Sequence, residues 1–182
     1  MATLQELRDE RVRKLQDLTA LGVQAYPAVS GRTNMAQDIV NNYDDLAGKT
    51  VTIAGRVTGI RKFGKLAFIV LKDASGQVQL FLKDGTVKND PNYANSELVL
   101  KDISLLDNGD FIEATGAVIT TKTGEKSVEV TVLRILAKSL RPMPSEQEGF
   151  SNKEERLRRR YVDTNVNKDV YNRYIRRSKF WQ

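Results

Sequence analysis

The chain has 182 residues, 40% of them hydrophobic, which argues against global disorder and suits one ordinary domain with appended elements or two small ones. It contains neither cysteine nor histidine, which excludes disulfides, thiolate and imidazole metal sites, and any catalytic triad built on histidine. The net charge of +6 suits a nucleic-acid partner, but residues 151–182 hold ten Lys/Arg against four Asp/Glu and account for all of it, so the body of the chain is neutral.

The N-terminal segment reads as a helix. Thr3 followed by Glu6 makes a capping box, Leu4, Leu7, Leu15, Leu18 and Leu21 follow helical spacing, and Gly22 suits the position just past the end. Arg8, Arg11, Arg13 and Lys14 fall largely off that stripe, as a solvated face or a phosphate-contacting one. No signal-peptide apolar region opens the chain, and no apolar run approaches the roughly 20 residues that span a bilayer. A soluble, cytoplasmic protein with no membrane partner is the expectation.

Residues 23–49 are broken by Tyr26-Pro27, Gly31 and Asn41-Asn42, with a short helix expected near 34–41. From Thr50 the hydrophobic period becomes two, predicting a first strand to Ile60 and a turn over Lys62–Lys65. A second strand spans Leu66–Asp73, Ala74-Ser75-Gly76 forms a tight connection, and a third strand spans Gln77–Lys83. Residues 84–95 read as loop, and Ser96–Leu106 as a short helix capped by Ser96. The fourth strand is Asp110–Thr120, Lys122–Glu125 the hairpin tip, and Ser127–Leu136 the fifth strand.

Three strands, a helix and two strands is the element order of an OB fold, a five-stranded Greek-key barrel, although order alone leaves other five-stranded barrels open. The expected class is mainly β: such a barrel over 50–140, an N-terminal helical extension over 1–49, and a helical C-terminal extension over 141–182. Arg141-Pro142-Met143-Pro144 ends the ladder because proline cannot donate to it. A polar linker follows to about Asn152. Asn152–Arg160 reads as helical, and Lys168–Gln182 as the start of another helix with Val170, Tyr174 and Ile175 on one side. The large aromatics Phe180 and Trp181 at the very end are expected of a truncated chain.

Strand alternation assigns faces. Val78, Leu80 and Leu82 are uniformly apolar and belong inside, so Gln77, Gln79 and Phe81 point out. Setting Ala67, Ile69 and Leu71 against them puts Phe68 beside Gln79 on the outer surface. A ring can stack on an unpaired base and an amide can read a base edge. From pattern alone Phe68 could equally pack beneath the N-terminal helix, with Gln79 an idle surface amide. Arg61, near the end of the first strand, could contact phosphate, lie over a base, or be a solvated turn residue.

Gly55-Arg56-Val57, Arg61, Gly64-Lys65, Phe68, Asp73, Gly76 and Val78-Gln79-Leu80 together resemble the OB domain shared by lysyl-, aspartyl- and asparaginyl-tRNA synthetases of class II, subclass IIb. In that family the matching arginine, phenylalanine and glutamine hold the central anticodon base, a uridine, so the resemblance assigns anticodon binding to Arg61, Phe68 and Gln79. Gly109-Asp110 with Thr121–Glu125 is similar to the lysyl hairpin, whose glutamate also contacts the anticodon and here is Glu125. Leu140–Pro144 and Glu155–Asp163 resemble the lysyl exit from the barrel and the signature that precedes the catalytic domain. Val162-Asp163-Thr164 departs from the usual Leu-Asp-Leu, and the segment before Tyr26-Pro27 lacks the usual Pro-Tyr-Pro.

The resemblance implies the N-terminal anticodon-binding fragment of a lysine–tRNA ligase, cut near the start of its catalytic domain; the alternatives are an aspartyl- or asparaginyl-type anticodon domain, or a general single-strand-binding OB protein. Its partner would be the tRNA(Lys) anticodon stem-loop. Catalytic residues, cofactors and metals are not expected in the fragment. The parent enzyme would use ATP and Mg2+ and form a homodimer through a helix beginning near Lys168.

Overall fold

A computed structural model describes residues 3–87, 98–144 and 152–182. The chain divides into two compact units at Pro142/Met143. Parts of the expected loop 84–95 and linker before Asn152, and Ser96 as a cap, lie outside the described residues.

Helix α1 spans Leu4–Ala20 and begins as expected. The Thr3 hydroxyl accepts from the Glu6 amide, and the Glu6 carboxylate accepts from the Thr3 amide. The leucine stripe is a poorer guide: Leu18 is fully buried, while Leu4, Leu7 and Leu21 are exposed. Arg11, expected on a solvated or phosphate-contacting face, is instead 9% exposed. Its guanidinium donates to the carbonyls of Asn108, Ser139 and Arg141 at 3.0–3.2 Å. Lys14 pairs with Asp107 at 2.7 Å. These cations dock the helix on the barrel exit because their partners lie about 95 to 130 residues away, beyond any local pattern.

After α2 (Ala36–Asn41) and α3 (Tyr43–Leu46) come strands β1 (Thr50–Phe63), β2 (Leu66–Lys72), β3 (Gln77–Lys83), β4 (Phe111–Thr120) and β5 (Lys126–Ala137). They close in the order β1-β2-β3-β5-β4, antiparallel except for a short parallel β3–β5 seam. This is the OB-fold barrel, and closure removes the unpaired edges a five-stranded sheet would expose. The expected helix over Ser96–Leu106 is a 3₁₀ helix over Leu100–Leu105. It joins Leu98, Leu100, Ile103 and Leu106 to the core formed by the inward rows of the strands.

The inward rows include Val51, Ile53 and Val57 of β1, Ala67, Ile69 and Leu71 of β2, and Val78, Leu80 and Leu82 of β3. Burying each of the Val, Ile and Leu side chains contributes about 1.5–3 kcal/mol, and the Ala67 methyl less. Small residues permit the closest strand approaches. A Cβ on Gly116 would collide with the carbonyl of Glu129 across the β4–β5 bulge, where Thr115 faces Val132 but Gly116 faces Val130.

Among the described residues, two ionic clusters brace the barrel. Lys138, fully buried, binds Asp110 at 2.7 Å, Asp107 at 2.6 Å and the Leu105 carbonyl at 2.8 Å. Asp110, expected as the first residue of a strand, is instead the buried carboxylate just before β4. Burial alone would raise the Asp107 carboxyl, but hydrogen bonds and charge from Lys138 and Lys14 outweigh it and hold the group below its ordinary value. Arg134 pairs with Glu113 at 2.8 Å, and Glu113 also accepts from the Ser30 hydroxyl and Gly31 amide at 2.6 Å each. That cluster fastens residues 30–31 to the barrel.

In the C-terminal unit the expected helix over Asn152–Arg160 is shorter. Helix α4 (Lys153–Arg158) breaks at Arg159, and α5 (Arg160–Val166), absent from the sequence expectation, follows before α6 (Lys168–Trp181). Asn152 and Asn167 accept from the first amides of α4 and α6. Of the expected apolar side of α6, Val170 is buried, whereas Tyr174 and Ile175 are 40% and 38% exposed. Among the described residues no helix is long and apolar enough to cross a membrane.

The β2–β3 turn is closed by Asp73. Its carboxylate accepts from the amides of Ser75, Gly76 and Ala36 and from the Ser75 hydroxyl, at 2.6–3.1 Å. Burial would raise this carboxyl, but the Ser75 hydroxyl and the three amides hold it below its ordinary value of 3.8. A depressed carboxyl stabilises the fold above its unfolded value, and that contribution is lost as pH falls through the folded one. Asp73→Asn is therefore expected to lower unfolding free energy at pH 7 by about 1–2 kcal/mol. In urea titrations its deficit against wild type should shrink below about pH 4; a deficit independent of pH would contradict this assignment.

Candidate nucleic-acid interface

The first half of β1 alternates simply, with Val51, Ile53 and Val57 inside. A bulge between Val57 and Gly59 then interrupts the count. Val57 faces Leu71, Thr58 is passed over, and Gly59 faces Val70. Beyond it Ile60 pairs with Ile69 and packs against the core, while Gly59, Arg61 and Phe63 turn to the outer surface. Continued alternation from Val57 would have carried Arg61 inside. The strand also runs on to Phe63, past its expected end at Ile60, and turns through Gly64, whose φ of +55° is the left-handed backbone that glycine tolerates best.

On β2 and β3 the structure agrees with the alternation: Ala67, Ile69 and Leu71 face Leu82, Leu80 and Val78 inside. The outer row differs in one respect. Phe68 stands directly opposite Phe81, and Gln79 opposite Val70, so Phe68 and Gln79 are diagonal neighbours on one face instead of a direct pair. Arg61 is directly opposite Phe68 on the other flank. Its guanidinium donates to the Gln79 Oε1 at 3.4 Å. The Gln79 amide nitrogen in turn donates to Ser127 Oγ, 3.0 Å away on β5. Glu125 is exposed at the end of the β4–β5 hairpin, and its main-chain carbonyl accepts from the Ser127 hydroxyl at 3.2 Å.

Arg61, Phe68 and Gln79 are thus brought together on one exposed surface, with Glu125 bordering it through Ser127. The pattern reading missed two rings. Phe63, 61% exposed, meets Phe68 edge to face at 6.2 Å between centroids, and Phe81 lies tilted against Phe68 at 5.3 Å. The alternation that turned Gln79 outward also turned Phe81 outward, so that signal was present. Ser127 left none, because its partner is set by the parallel β3–β5 seam. Lys62, Lys65 and Lys83 are exposed on and beside the β1–β2 hairpin. An aromatic cluster with a fixed amide and nearby cations can stack an unpaired base, read its edge and attract its phosphates.

Residues 51–136 match the protein family described as OB-fold nucleic acid binding domain. Over 174 residues, 95% of the chain, it is 38% identical to a lysine–tRNA ligase of Clostridium botulinum strain Langeland. Similar relatives are the lysine–tRNA ligases of Clostridium acetobutylicum and Carboxydothermus hydrogenoformans, each 38% identical over 97% of the chain. The chain spans about a third of the length of these curated relatives.

The tilted Phe68–Phe81 contact predicts a measurable coupling. A double-mutant cycle of Phe68→Ala and Phe81→Ala in chemical denaturation should give about 0.5–1.5 kcal/mol. Strict additivity would show that the two rings stand independently.

Proposed function

We propose that this chain, a relative of the lysine–tRNA ligases whose barrel belongs to the OB-fold nucleic acid binding family, is the part of such a ligase that reads the tRNA(Lys) anticodon. The observation that carries this reading is the grouping of Arg61, Phe68 and Gln79 on the outer face of β1–β3, with Arg61 hydrogen-bonded to Gln79 and opposite Phe68.

Phe68, flanked by Phe81 and Phe63, stacks the middle anticodon base after it leaves its neighbours. Stacking contributes about 1–3 kcal/mol and tolerates any base. Gln79 supplies the choice. Its oxygen accepts from the uridine N3–H and its amide donates to an adjoining carbonyl, so a mismatched edge leaves a buried polar group unpaired at about 1–3 kcal/mol. Arg61 holds Gln79 and offers its remaining donors to the base or the adjoining phosphate. Glu125, which can only accept when ionised, takes a donor edge of a flanking base.

Attachment of lysine with ATP and Mg2+ is proposed for the whole ligase, and no step of it is assigned to these residues. Action in the cytoplasm and dimerisation through the helix from Lys168 belong to the same proposal.

The test is binding of a lysine anticodon stem-loop against one with its middle uridine replaced. The original should bind more tightly. Phe68→Ala should weaken both by about 1–3 kcal/mol, and Gln79→Ala should mostly erase the difference between them. Equal wild-type affinities with steep salt dependence would instead indicate a general single-strand binder.

A further inference from the structure

We propose that Ser127 is the positioning residue that separates uridine from cytidine, by fixing which way round the Gln79 amide is held. The inference rests on the anticodon-reading role proposed above. Ser127 is polar yet fully buried, and it faces Gln79 across the parallel β3–β5 seam. Its hydroxyl donates to the Glu125 carbonyl at 3.2 Å, which leaves its lone pairs for Gln79. The Gln79 amide nitrogen accordingly donates to Ser127 Oγ at 3.0 Å. On the opposite side Arg61, which has donors and no acceptor, meets the Gln79 oxygen at 3.4 Å. A hydroxyl committed as acceptor and a guanidinium that only donates therefore demand the same orientation. Turning the amide over would set donor against donor on one side and acceptor against acceptor on the other.

Orientation decides the reading because the two pyrimidines present opposite edges. Uridine offers a donor at N3 beside an acceptor at O4; cytidine offers an acceptor at N3 beside an amine donor at N4. With the base held in place by its strand and by stacking, a fixed carboxamide matches one of these edges. A carboxamide free to turn over matches either. Phe68 presents the same ring face to both bases, and the cations meet the same phosphates. Discrimination between the pyrimidines falls on the amide, and through the amide on Ser127, which need not touch the base.

The experiment compares stem-loops carrying U or C at the middle anticodon position. Wild type should prefer U by about 5- to 100-fold. Ser127→Ala leaves only the longer, exposed 3.4 Å contact to Arg61 to orient the amide, so the preference should fall within about threefold, chiefly by stronger binding of the C stem-loop. Adding Ser127→Ala to Gln79→Ala should change the ratio no further. Full preference retained in a folded Ser127→Ala overturns the proposal. Absence of preference in wild type would instead remove the anticodon reading beneath it. Where Ser127→Ala does not fold, wild-type NMR decides: the Gln79 side-chain amide protons should exchange with solvent more slowly than those of exposed Gln77, and equal exchange overturns the proposal.

Discussion

Asp73 gathers the donors of the β2–β3 turn onto one carboxylate, and the register it closes governs everything presented on the outer face. Side chains alternate with period two, so a slip of one residue between these strands would move Phe68 or Gln79 to the core face and an aliphatic residue into water. Such a slip is opposed at both ends. The turn holds one end, and the inward row of Ala67, Ile69 and Leu71 against Leu82, Leu80 and Val78 holds the rest by burial. The same carboxylate accepts from the first amide of α2, so the register is coupled to a helix outside the sheet. The core and the surface proposed to read a base are two faces of one constraint.

The buried ion clusters answer a different need. A small closed barrel leaves its incoming and outgoing segments with little apolar surface to share. Lys138 with Asp107 and Asp110, and Arg134 with Glu113, tie those segments to the wall through multiple donors and acceptors. A buried pair adds little net stability over an apolar replacement, but leaving one partner alone is costly, so such clusters specify position more than they add strength. The surface proposed to read a base is held without ion pairs among the contacts described: rings on rings, and an amide between a serine and an arginine.

That division suits the proposed recognition. Stacking supplies affinity without choice, because every base has a π face. Long-range charge supplies encounter without choice, and the neutral body of the chain has little of it to spend. Selectivity must come from a short-range group whose donor and acceptor are both oriented. In the proposed recognition Gln79 is that group, and the relay from Glu125 through Ser127 joins it to the hairpin on which Glu125 stands.

The residue pattern alone determined most of the scaffold. Period-two runs located all five strands, the apolar row of Val78, Leu80 and Leu82 oriented β3, and Thr3 with Glu6 marked the first helix, because alternation and capping are local properties. The outward placing of Phe68 was left open by pattern and favoured by resemblance. Tertiary structure decided three further matters. The bulge at Thr58 turned Arg61 outward, since a single extra residue inverts every later side chain and carries no fixed sequence mark. Arg11 became a buried tether because carbonyls about a hundred residues away came within reach. Phe81, not Gln79, came to stand opposite Phe68, and Ser127 reached Gln79, because pairing across strands depends on register and closure, which no single strand encodes.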